Sequence, residues 1–301
     1  MLAEIGAVGD RPATRTGARA FREGLEELGT TFIKLGQMLS SRPDLLPDVY
    51  IEELEQLVDT VGPFPFDEAR RIIDEEIGLE NFARLDEQPL ACASIAQIHS
   101  GLLRTGREVV VKVRRPRIED EVALDLELLR SLTSFAEGRS QTARLLQLSA
   151  LADELQAHLT AELDFVEEAH GSELIARIVA DHEHLIVPEM IHPYVTDSVL
   201  VQERIVGERV TEQHGLDPER AAVLARELFR AYVQQITVHG VYHADPHRGN
   251  VLLTEDGRLA LLDFGLLGRL DDDTRRALGL LLLALAQTAR TTSATSSWGS
   301  R

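Results

Sequence analysis

The spacing of hydrophobic residues changes repeatedly along this chain, and the order of these changes constrains its fold. Six apolar residues near the N-terminus are spaced by four and three, which puts them on one face of a helix: Phe21, Leu25, Leu28, Phe32, Leu35 and Leu39. Pro43 and Pro47 end this predicted helix. Further helical segments are predicted at residues 49–57 and 66–77, so the chain begins with a helical region.

Strand patterns follow, and helices return after them. Residues 95–103 and 108–114 predict two strands around a turn, and Lys112 alone interrupts the apolar run of the second strand. The later predicted elements are a long helical stretch at 118–178, strands at 185–187 and 199–205, a helix at 218–239, two short strands at 251–253 and 259–262, and a helix at 272–287. This order predicts an α+β protein with two lobes and a site between them.

Composition narrows the function classes. Hydrophobic residues make up 44% of the 301 residues, which excludes a disordered chain and a small disulfide scaffold. The 31 basic and 50 acidic residues give a formal net charge of −19, and a negative field disfavours non-specific binding to nucleic acid or anionic lipid. We therefore expect no nucleic-acid partner, and any bound anion must be held by a local arrangement of charges.

Three features predict a cytoplasmic protein. Cys92 is the one cysteine, so no internal disulfide can form, which fits a reducing compartment. Residues 1–19 lack the continuous apolar segment of a secretory signal. The most apolar run, residues 278–286, is far shorter than the ~20 residues of a membrane span. Peripheral contact with the inner membrane is left open.

The strongest chemical signal is a set of oxygen-bearing side chains in the C-terminal part. Asp245 and Asn250 lie five residues apart on a predicted loop, and Asp263 begins an Asp-Phe-Gly sequence after the next hairpin. Phosphoryl transfer needs a carboxylate near the attacking hydroxyl, and carboxylate and amide oxygens for the divalent cations that bridge the phosphates. Kinases use this order of residues. Taken singly, each residue is better explained as capping a turn or ending a strand, but the ordered set favours phosphoryl transfer.

Lys112 is the corresponding candidate cation. A lysine within an apolar strand must extend its ammonium to solvent or find an anionic partner. In kinases such a lysine contacts the α- and β-phosphates and is oriented by a helical glutamate. The alternative is an exposed lysine that protects an edge strand from aggregation. The downstream motifs favour the phosphate-binding role.

Glu162 falls on an otherwise apolar helix face, whereas Asp164 and Glu168 point elsewhere. The apolar residues of that face, at about 100° per residue, are Leu155, Leu159, Val166 and Ala169. A buried carboxylate is destabilising unless it is paired, so Glu162 requires a cation unless the helix bends and leaves it solvated. Lys34 and Gln37 lie roughly opposite the apolar stripe of the first helix, where a solvated face is the simpler explanation.

Together these motifs closely resemble those of the UbiB/AarF family of atypical protein-kinase-like proteins, which is linked to coenzyme Q (ubiquinone) biosynthesis. The resemblance covers about residues 18–288. Residues 31–37 are similar to the family's Lys-x-Gly-Gln motif, residues 91–97 to its alanine-rich loop, and residues 162–165 to its Glu-x-Asp motif. Arg-Pro-Asp-Leu-Leu-Pro at residues 42–47 is a further match. The resemblance implies a two-lobed protein-kinase-like fold with an N-terminal helical extension.

The resemblance also implies roles for individual residues. Lys112 would hold the phosphates with Glu168 as its helical partner, and Asp245 would be the catalytic-loop aspartate. Asn250 and Asp263 would bind Mg²⁺ together with ATP or ADP. The residues implied near the nucleotide are Ala91, Ala93 and Ser94 of the alanine-rich loop and, in a hinge at residues 203–206, Glu203 and Ile205. The residues implied to regulate the site are Lys34, Gln37, Glu162 and Asp164, with Glu162 as the partner of Lys34.

In this family the extension is thought to block peptide substrates, which implies restrained ATPase activity or a small-molecule or lipid-linked reaction with a quinone-like partner. No Gly-x-Gly-x-x-Gly is present, which implies altered nucleotide handling. The expected domains are the extension at 1–80, an N-lobe with a helical insertion at 81–206, a partial C-lobe at 207–290 and a disordered tail at 291–301. Because the chain stops soon after Asp-Phe-Gly, we expect a truncated C-lobe. Two alternatives stay open: a small-molecule phosphotransferase of the aminoglycoside or choline kinase type, and a non-catalytic nucleotide-binding pseudokinase.

Overall fold

A computed structural model of the chain describes residues 14–57, 61–211, 213, 215–244 and 248–296. The described helices are α1 Arg15–Leu28, α2 Thr30–Ser40, α3 Asp48–Leu54, α4 Phe66–Ile77, α5 Ile118–Arg139, α6 Gln141–Leu145, α7 Leu148–Leu163, α8 Phe165–Val179, α9 Pro218–Gln234 and α10 Asp272–Ser296. The described strands are β1 Phe82–Cys92, β2 Ala96–Leu103, β3 Glu108–Arg114, β4 Leu185–Ile186, β5 Met190–Val195, β6 Val199–Glu203, β7 Gly207–Arg209, β8 Val241–His243, β9 Val251–Thr254, β10 Leu259–Leu261 and β11 Leu267–Arg269.

The chain forms two compact units. The first contains the described residues up to Val166 together with Ile191–Gln202. The second contains Glu167–Met190 and the described residues from Glu203 onward. The two units divide the chain differently from the predicted domains, whose boundaries stay a prediction.

The sequence predicts one helix at the N-terminus, but the structure has two helices there, α1 and α2. Gly29 lies between α1 and α2 with φ of +94°, a conformation that glycine adopts readily and that ends the helix. The break leaves Leu28 45% exposed although it belongs to the predicted apolar stripe. Gly36 in α2 allows close helix packing, because a Cβ atom there would lie 2.9 Å from Leu25 Cδ1 and nearer still to Leu57 Cδ1.

The first unit contains a five-stranded sheet with the strand order β1-β2-β3-β6-β5. Strand side chains alternate between the two faces, and on β3 the completely buried residues are Val109, Val111 and Val113. They share a core cluster with Phe64 and with Ile73 of α4. Lys112, between two of these valines, belongs to the opposite face of the sheet.

The predicted helical stretch at 118–178 is four helices rather than one. The first break follows α5 at Ser140, which has an extended backbone. Gln147 precedes α7 in a left-handed conformation. Asp164 separates α7 from α8 with φ of −98° and ψ of 90°, which lies outside the helical region.

The second unit contains a four-stranded sheet of order β4-β10-β9-β7 and a separate β8–β11 pair. Its core joins α8, α9 and the sheet through apolar residues that include Ile175, Leu224, Leu259 and Phe264. The predicted helix at 218–239 is α9 followed by a π turn at Gln235–His239. The predicted disorder from residue 291 is wrong up to Ser296, because α10 continues to that residue, and residues 291–296 contain neither glycine nor proline.

Residues 297–301 of the predicted tail lie outside the described residues. Within the described part of the chain, no helix combines the length and the hydrophobicity required to span a membrane.

Candidate functional site

Lys112 lies in the interior of a sheet. Its strand, β3, runs between β2 and β6, so the alternative of an edge-strand lysine is wrong. Lys112 pairs with Ile98 on β2, and its Nζ lies 5.0 Å from the centre of the Phe165 ring. Phe165 is completely buried at the start of α8, so the ammonium contacts the face of a fixed aromatic ring. This arrangement orients a half-buried cation on the face of the sheet opposite the valine core.

The alanine-rich loop forms a tight turn between β1 and β2. Ala93 N donates to Ala96 O at 2.8 Å, which closes the turn. Ala91 and Ala93 are half-buried, whereas Ser94 is completely buried. The Ser94 hydroxyl has no hydrogen-bond partner among the described residues. Arg115, which no motif predicts, donates from Nε to Ser94 O at 3.2 Å.

Lys34 and Glu162 form the ion pair that the resemblance implies. Lys34 Nζ lies 2.8 Å from Glu162 Oε1, and the two side chains are 19% and 24% exposed. Gln37 Nε2 donates to Leu57 O at 3.5 Å. The simpler explanation of a solvated face therefore does not apply to Lys34. Asp164 lines a cavity of about 720 Å³ beside α5 and α7.

In the second unit, backbone pairing brings the two ends of the predicted catalytic region together. His243 at the end of β8 pairs with Leu267 of β11, and Ala244 N donates to Leu266 O at 3.0 Å. Gln235, in the π turn, accepts a hydrogen bond from His243 N at 3.2 Å through Oε1. Asp245 follows this segment directly but lies outside the described residues.

Asn250 and Asp263 lie at the same end of the β9–β10 hairpin. Leu262 N donates to Asn250 O at 2.8 Å, which fixes the residue before Asp263 next to Asn250. Asp263 has a left-handed φ of +59°, an uncommon conformation that tends to occur at functional sites. Its Oδ1 accepts a hydrogen bond from Gly265 N at 3.2 Å, and its side chain is exposed. The hairpin turn is stabilised by Arg258, which, together with the Thr254 hydroxyl, lowers the pKa of Asp256 to about 2.

Helix α8 packs tightly against the Asp-Phe-Gly segment. A Cβ atom at Gly171 would lie 2.9 Å from Phe264 O, so only glycine fits without a shift. Phe264 is buried, and its ring centre lies 5.2 Å from that of His243. Glu168, three residues before Gly171, is 5% exposed. The pairing of Glu168 with Lys112 would join residues of different units, and it stays a prediction.

The predicted hinge begins where β6 ends. Glu203 N donates to Glu189 O at 2.8 Å, and Glu189 N donates to Glu203 Oε2 at 3.4 Å. Ile205 is half-buried in the loop after this strand. The roles of both residues toward adenine stay predictions.

Comparison with known proteins adds independent evidence. The model of the ABC1 atypical kinase-like domain matches residues 56–296. The chloroplastic protein ACTIVITY OF BC1 COMPLEX KINASE 8 of Arabidopsis thaliana is 38% identical over 274 residues, which cover 87% of this chain and 35% of that protein. ACTIVITY OF BC1 COMPLEX KINASE 3 of the same plant is 35% identical over 257 residues, covering 83% of this chain and 36% of that protein. This chain therefore spans about a third of the length of these two relatives.

A solved structure is also similar. Rv3197 from Mycobacterium tuberculosis, in complex with erythromycin, matches with a TM-score of 0.60 and 31% identity over 81% of this chain and 63% of that chain. The family match covers most of the chain and includes the described residues of the candidate site in both units except Lys34 and Gln37. The predicted protein-kinase-like α+β fold is confirmed, and the chain belongs to the family of ABC1 (aarF) atypical kinase-like proteins.

Proposed function

We propose that this chain binds ATP with Mg²⁺ and acts as a phosphotransferase or ATPase. The observation that carries the proposal is the hydrogen bond between Leu262 N and Asn250 O, together with the left-handed backbone of Asp263. These features bring an amide and an exposed carboxylate to one end of a hairpin. Such oxygen donors fit a hard divalent cation, which proteins hold with one or two carboxylates and the phosphates of the substrate.

The residues of the candidate site have distinct roles in this proposal. Asn250 and Asp263 would hold Mg²⁺, which would neutralise the negative charge of the phosphates. Lys112, oriented by its contact with Phe165, would bind the phosphates. Asp245 would orient the attacking hydroxyl or water, as the corresponding aspartate does in kinases. Glu168 is almost completely buried, so its carboxylate requires a compensating cation, and Lys112 is the proposed one.

The finer part of the proposal concerns the acceptor. The UbiB/AarF resemblance favours a role in ubiquinone or related quinone biosynthesis, with a quinone-like lipid as partner. The half-buried Lys34–Glu162 pair supports a regulated site, because it ties a helix of the extension to the helical insertion. In this proposal the extension restrains the reaction with peptides and leaves a small or lipid-linked substrate.

The first experiment measures the dissociation constant of ATP with and without Mg²⁺ for the wild type, Asp263→Asn and the control Asp273→Asn. Asparagine also tolerates the left-handed conformation of residue 263, so the variant should fold. Asp273 is a suitable control because its side chain is 94% exposed. We expect Asp263→Asn to weaken Mg²⁺-dependent binding by about tenfold, which corresponds to about 1.4 kcal/mol. Equal binding by wild type and Asp263→Asn would overturn the metal assignment.

A second experiment separates the acceptor classes. ATP turnover by the purified chain is measured with quinone-like phenolic lipids and with soluble amino alcohols. Stimulation by the lipid supports the quinone-related role, whereas phosphorylation of an amino alcohol supports a small-molecule phosphotransferase. Tight ATP binding without turnover in either condition would identify a pseudokinase and refute the proposed reaction.

A further inference from the structure

Arg115 contacts backbone carbonyl groups of two segments that are distant in sequence. Its guanidinium donates from Nε to Ser94 O at 3.2 Å and from Nη2 to Ala93 O at 3.4 Å. The same Nη2 donates to Gly62 O at 3.0 Å. The planar guanidinium presents several donors in a fixed fork, so one side chain can bridge both segments. Arg115 thus joins the alanine-rich loop to the connector, by which we mean residues 61–65 before α4.

Further contacts hold Arg115 itself in place. Arg115 N donates to Ile95 O at 2.8 Å, which adds a third residue of the alanine-rich loop. The guanidinium carbon lies 5.3 Å from the centre of the Phe64 ring, which belongs to the connector. Within the described part of the chain, Arg115 forms no ion pair with a carboxylate, whereas Arg114 lies 3.0 Å from Glu119. The position of Arg115 is therefore determined by carbonyl groups and an aromatic ring.

A second set of buried hydrogen bonds joins the connector to the strand that follows the loop. Phe64 N donates to Gln97 Oε1 at 3.0 Å, and Gln97 Nε2 lies 2.8 Å from His99 Nε2. The other ring nitrogen of His99 lies 2.8 Å from Asp86 O on β1. The alanine-rich loop is thus attached to the connector through both Arg115 and β2.

The loop conformation has an unfavourable element that these bonds offset. The Ser94 hydroxyl is completely buried and has no partner among the described residues. Burying an unsatisfied hydroxyl is destabilising, so the loop requires compensating interactions to stay in this position. The donors of Arg115 act on the carbonyl of Ser94 itself and on those of its two neighbours.

We propose that Arg115 is a positioning residue that holds the alanine-rich loop against the connector and so fixes the space available to the nucleotide phosphates. This inference rests on the proposed ATP binding. Because the connector lies within the predicted extension at 1–80, the same contacts would also link the extension to the loop. Preorganisation of the loop strengthens the binding of ligands that contact it. Arg115 should therefore increase the affinity for the phosphates of ATP and leave the affinity for the nucleoside unchanged.

The test compares Arg115→Met, Arg115→Lys and the control Arg117→Met in the full chain. Arg117 is exposed and has none of these contacts. Amide hydrogen exchange of residues 91–98 is measured without nucleotide, and dissociation constants are measured for Mg²⁺-ATP and for adenosine. For Arg115→Met we expect loop exchange at least fivefold faster, ATP binding at least fivefold weaker and adenosine binding within twofold of wild type. Arg115→Lys, which retains the charge but not the fork, should be intermediate.

The outcomes separate this inference from the proposed function. Unchanged loop exchange in Arg115→Met, or equal weakening of ATP and adenosine binding, would overturn the positioning role. If wild type binds no Mg²⁺-ATP, the proposed function fails, and the role toward phosphates fails with it. If wild type binds and Arg115→Met binds identically, the proposed function stands and this inference is wrong. Arg115→Lys provides the same comparisons should Arg115→Met fail to fold.

Discussion

Gly171 is the point at which α8 contacts the Asp-Phe-Gly segment, and its replacement by alanine tests that contact directly. A Cβ atom at this position would lie 2.9 Å from Phe264 O and 3.1 Å from Leu267 Cδ1. Ordinary van der Waals contact begins at 3.4 Å, so the Phe264 backbone or the helix must move by about 0.5 Å. Since Phe264 directly follows Asp263, the shift should also affect the candidate metal ligand.

The expected magnitude follows from two opposing effects. Overpacking a tightly packed site costs about 1–3 kcal/mol, whereas replacing glycine by alanine in a helix gains about 0.8–1.0 kcal/mol. Gly279 in α10 is the matched control, because an added Cβ atom there has no neighbour within 4 Å. Gly279→Ala should show only the helical gain. The two variants should therefore differ by about 1–3 kcal/mol in free energy of unfolding.

Urea denaturation measures this difference, and Mg²⁺-ATP binding measures the effect on the site. We expect Gly171→Ala to be less stable than Gly279→Ala and to bind Mg²⁺-ATP more weakly than wild type. Equal free energies of unfolding for the two variants would refute the close contact between α8 and Phe264. A stability loss with unchanged Mg²⁺-ATP affinity would instead refute the link from Gly171 to Asp263.

Two further predictions concern the first unit. A double-mutant cycle of Lys34→Met and Glu162→Gln should give a coupling energy of about 1–2 kcal/mol. This value is higher than that of most exposed ion pairs, because both side chains are mostly buried. Additive effects on stability, with unchanged ATP turnover, would contradict a restraining role. Burial lowers the pKa of His99 below its usual 6.5, so the unfolded chain takes up a proton more readily and stability falls as the pH drops below that value. Urea denaturation between about pH 7 and 5.5 should show a smaller loss for His99→Gln than for wild type, and equal losses would contradict this assignment.

Hydrophobic periodicity predicted those parts of the fold in which one face of an element is buried. On β3, the buried valines alternate with the half-buried Val110 and Lys112, and the apolar run correctly predicted a strand with one unusual cation. The calculation that put Glu162 on an apolar face was wrong for Val166 and Ala169, which belong to α8 beyond the break at Asp164. Leu155 and Leu159 of α7 are buried as expected, and the cation that the calculation required is Lys34, 2.8 Å from Glu162. In both cases a charged residue conflicted with an apolar pattern, and the conflict marked a residue with a specific partner.

Elements without such a pattern were not predicted. Strand β1 contains Pro89 and several charged residues, which argue against a strand in the interior of a sheet. The structure tolerates them because β1 is an edge strand, and its pairing with β2 is irregular around Pro89. Strands β7, β8 and β11 have three residues each and are too short to show alternation. Their positions depend on pairing with distant segments, which a local pattern does not contain.

The residues that support the candidate site, Arg115 and Gly171, could not be predicted from the sequence for a different physical reason. Arg115 and Gly171 contact backbone carbonyl oxygens, and every residue carries such an oxygen, so their partners have no side-chain signature. The net charge of the chain partly indicates which arginines have unusual partners. In a chain with 50 acidic and 31 basic residues, carboxylates are abundant, and Arg22 and Arg114 lie beside glutamates. In such a chain, an arginine that contacts carbonyl groups and a phenyl ring is positioned by these contacts and not by an ion pair with a carboxylate. Among the described residues no carboxylate pairs with Arg115, so its positive charge lies uncompensated beside the loop where the proposed function requires an anion to bind.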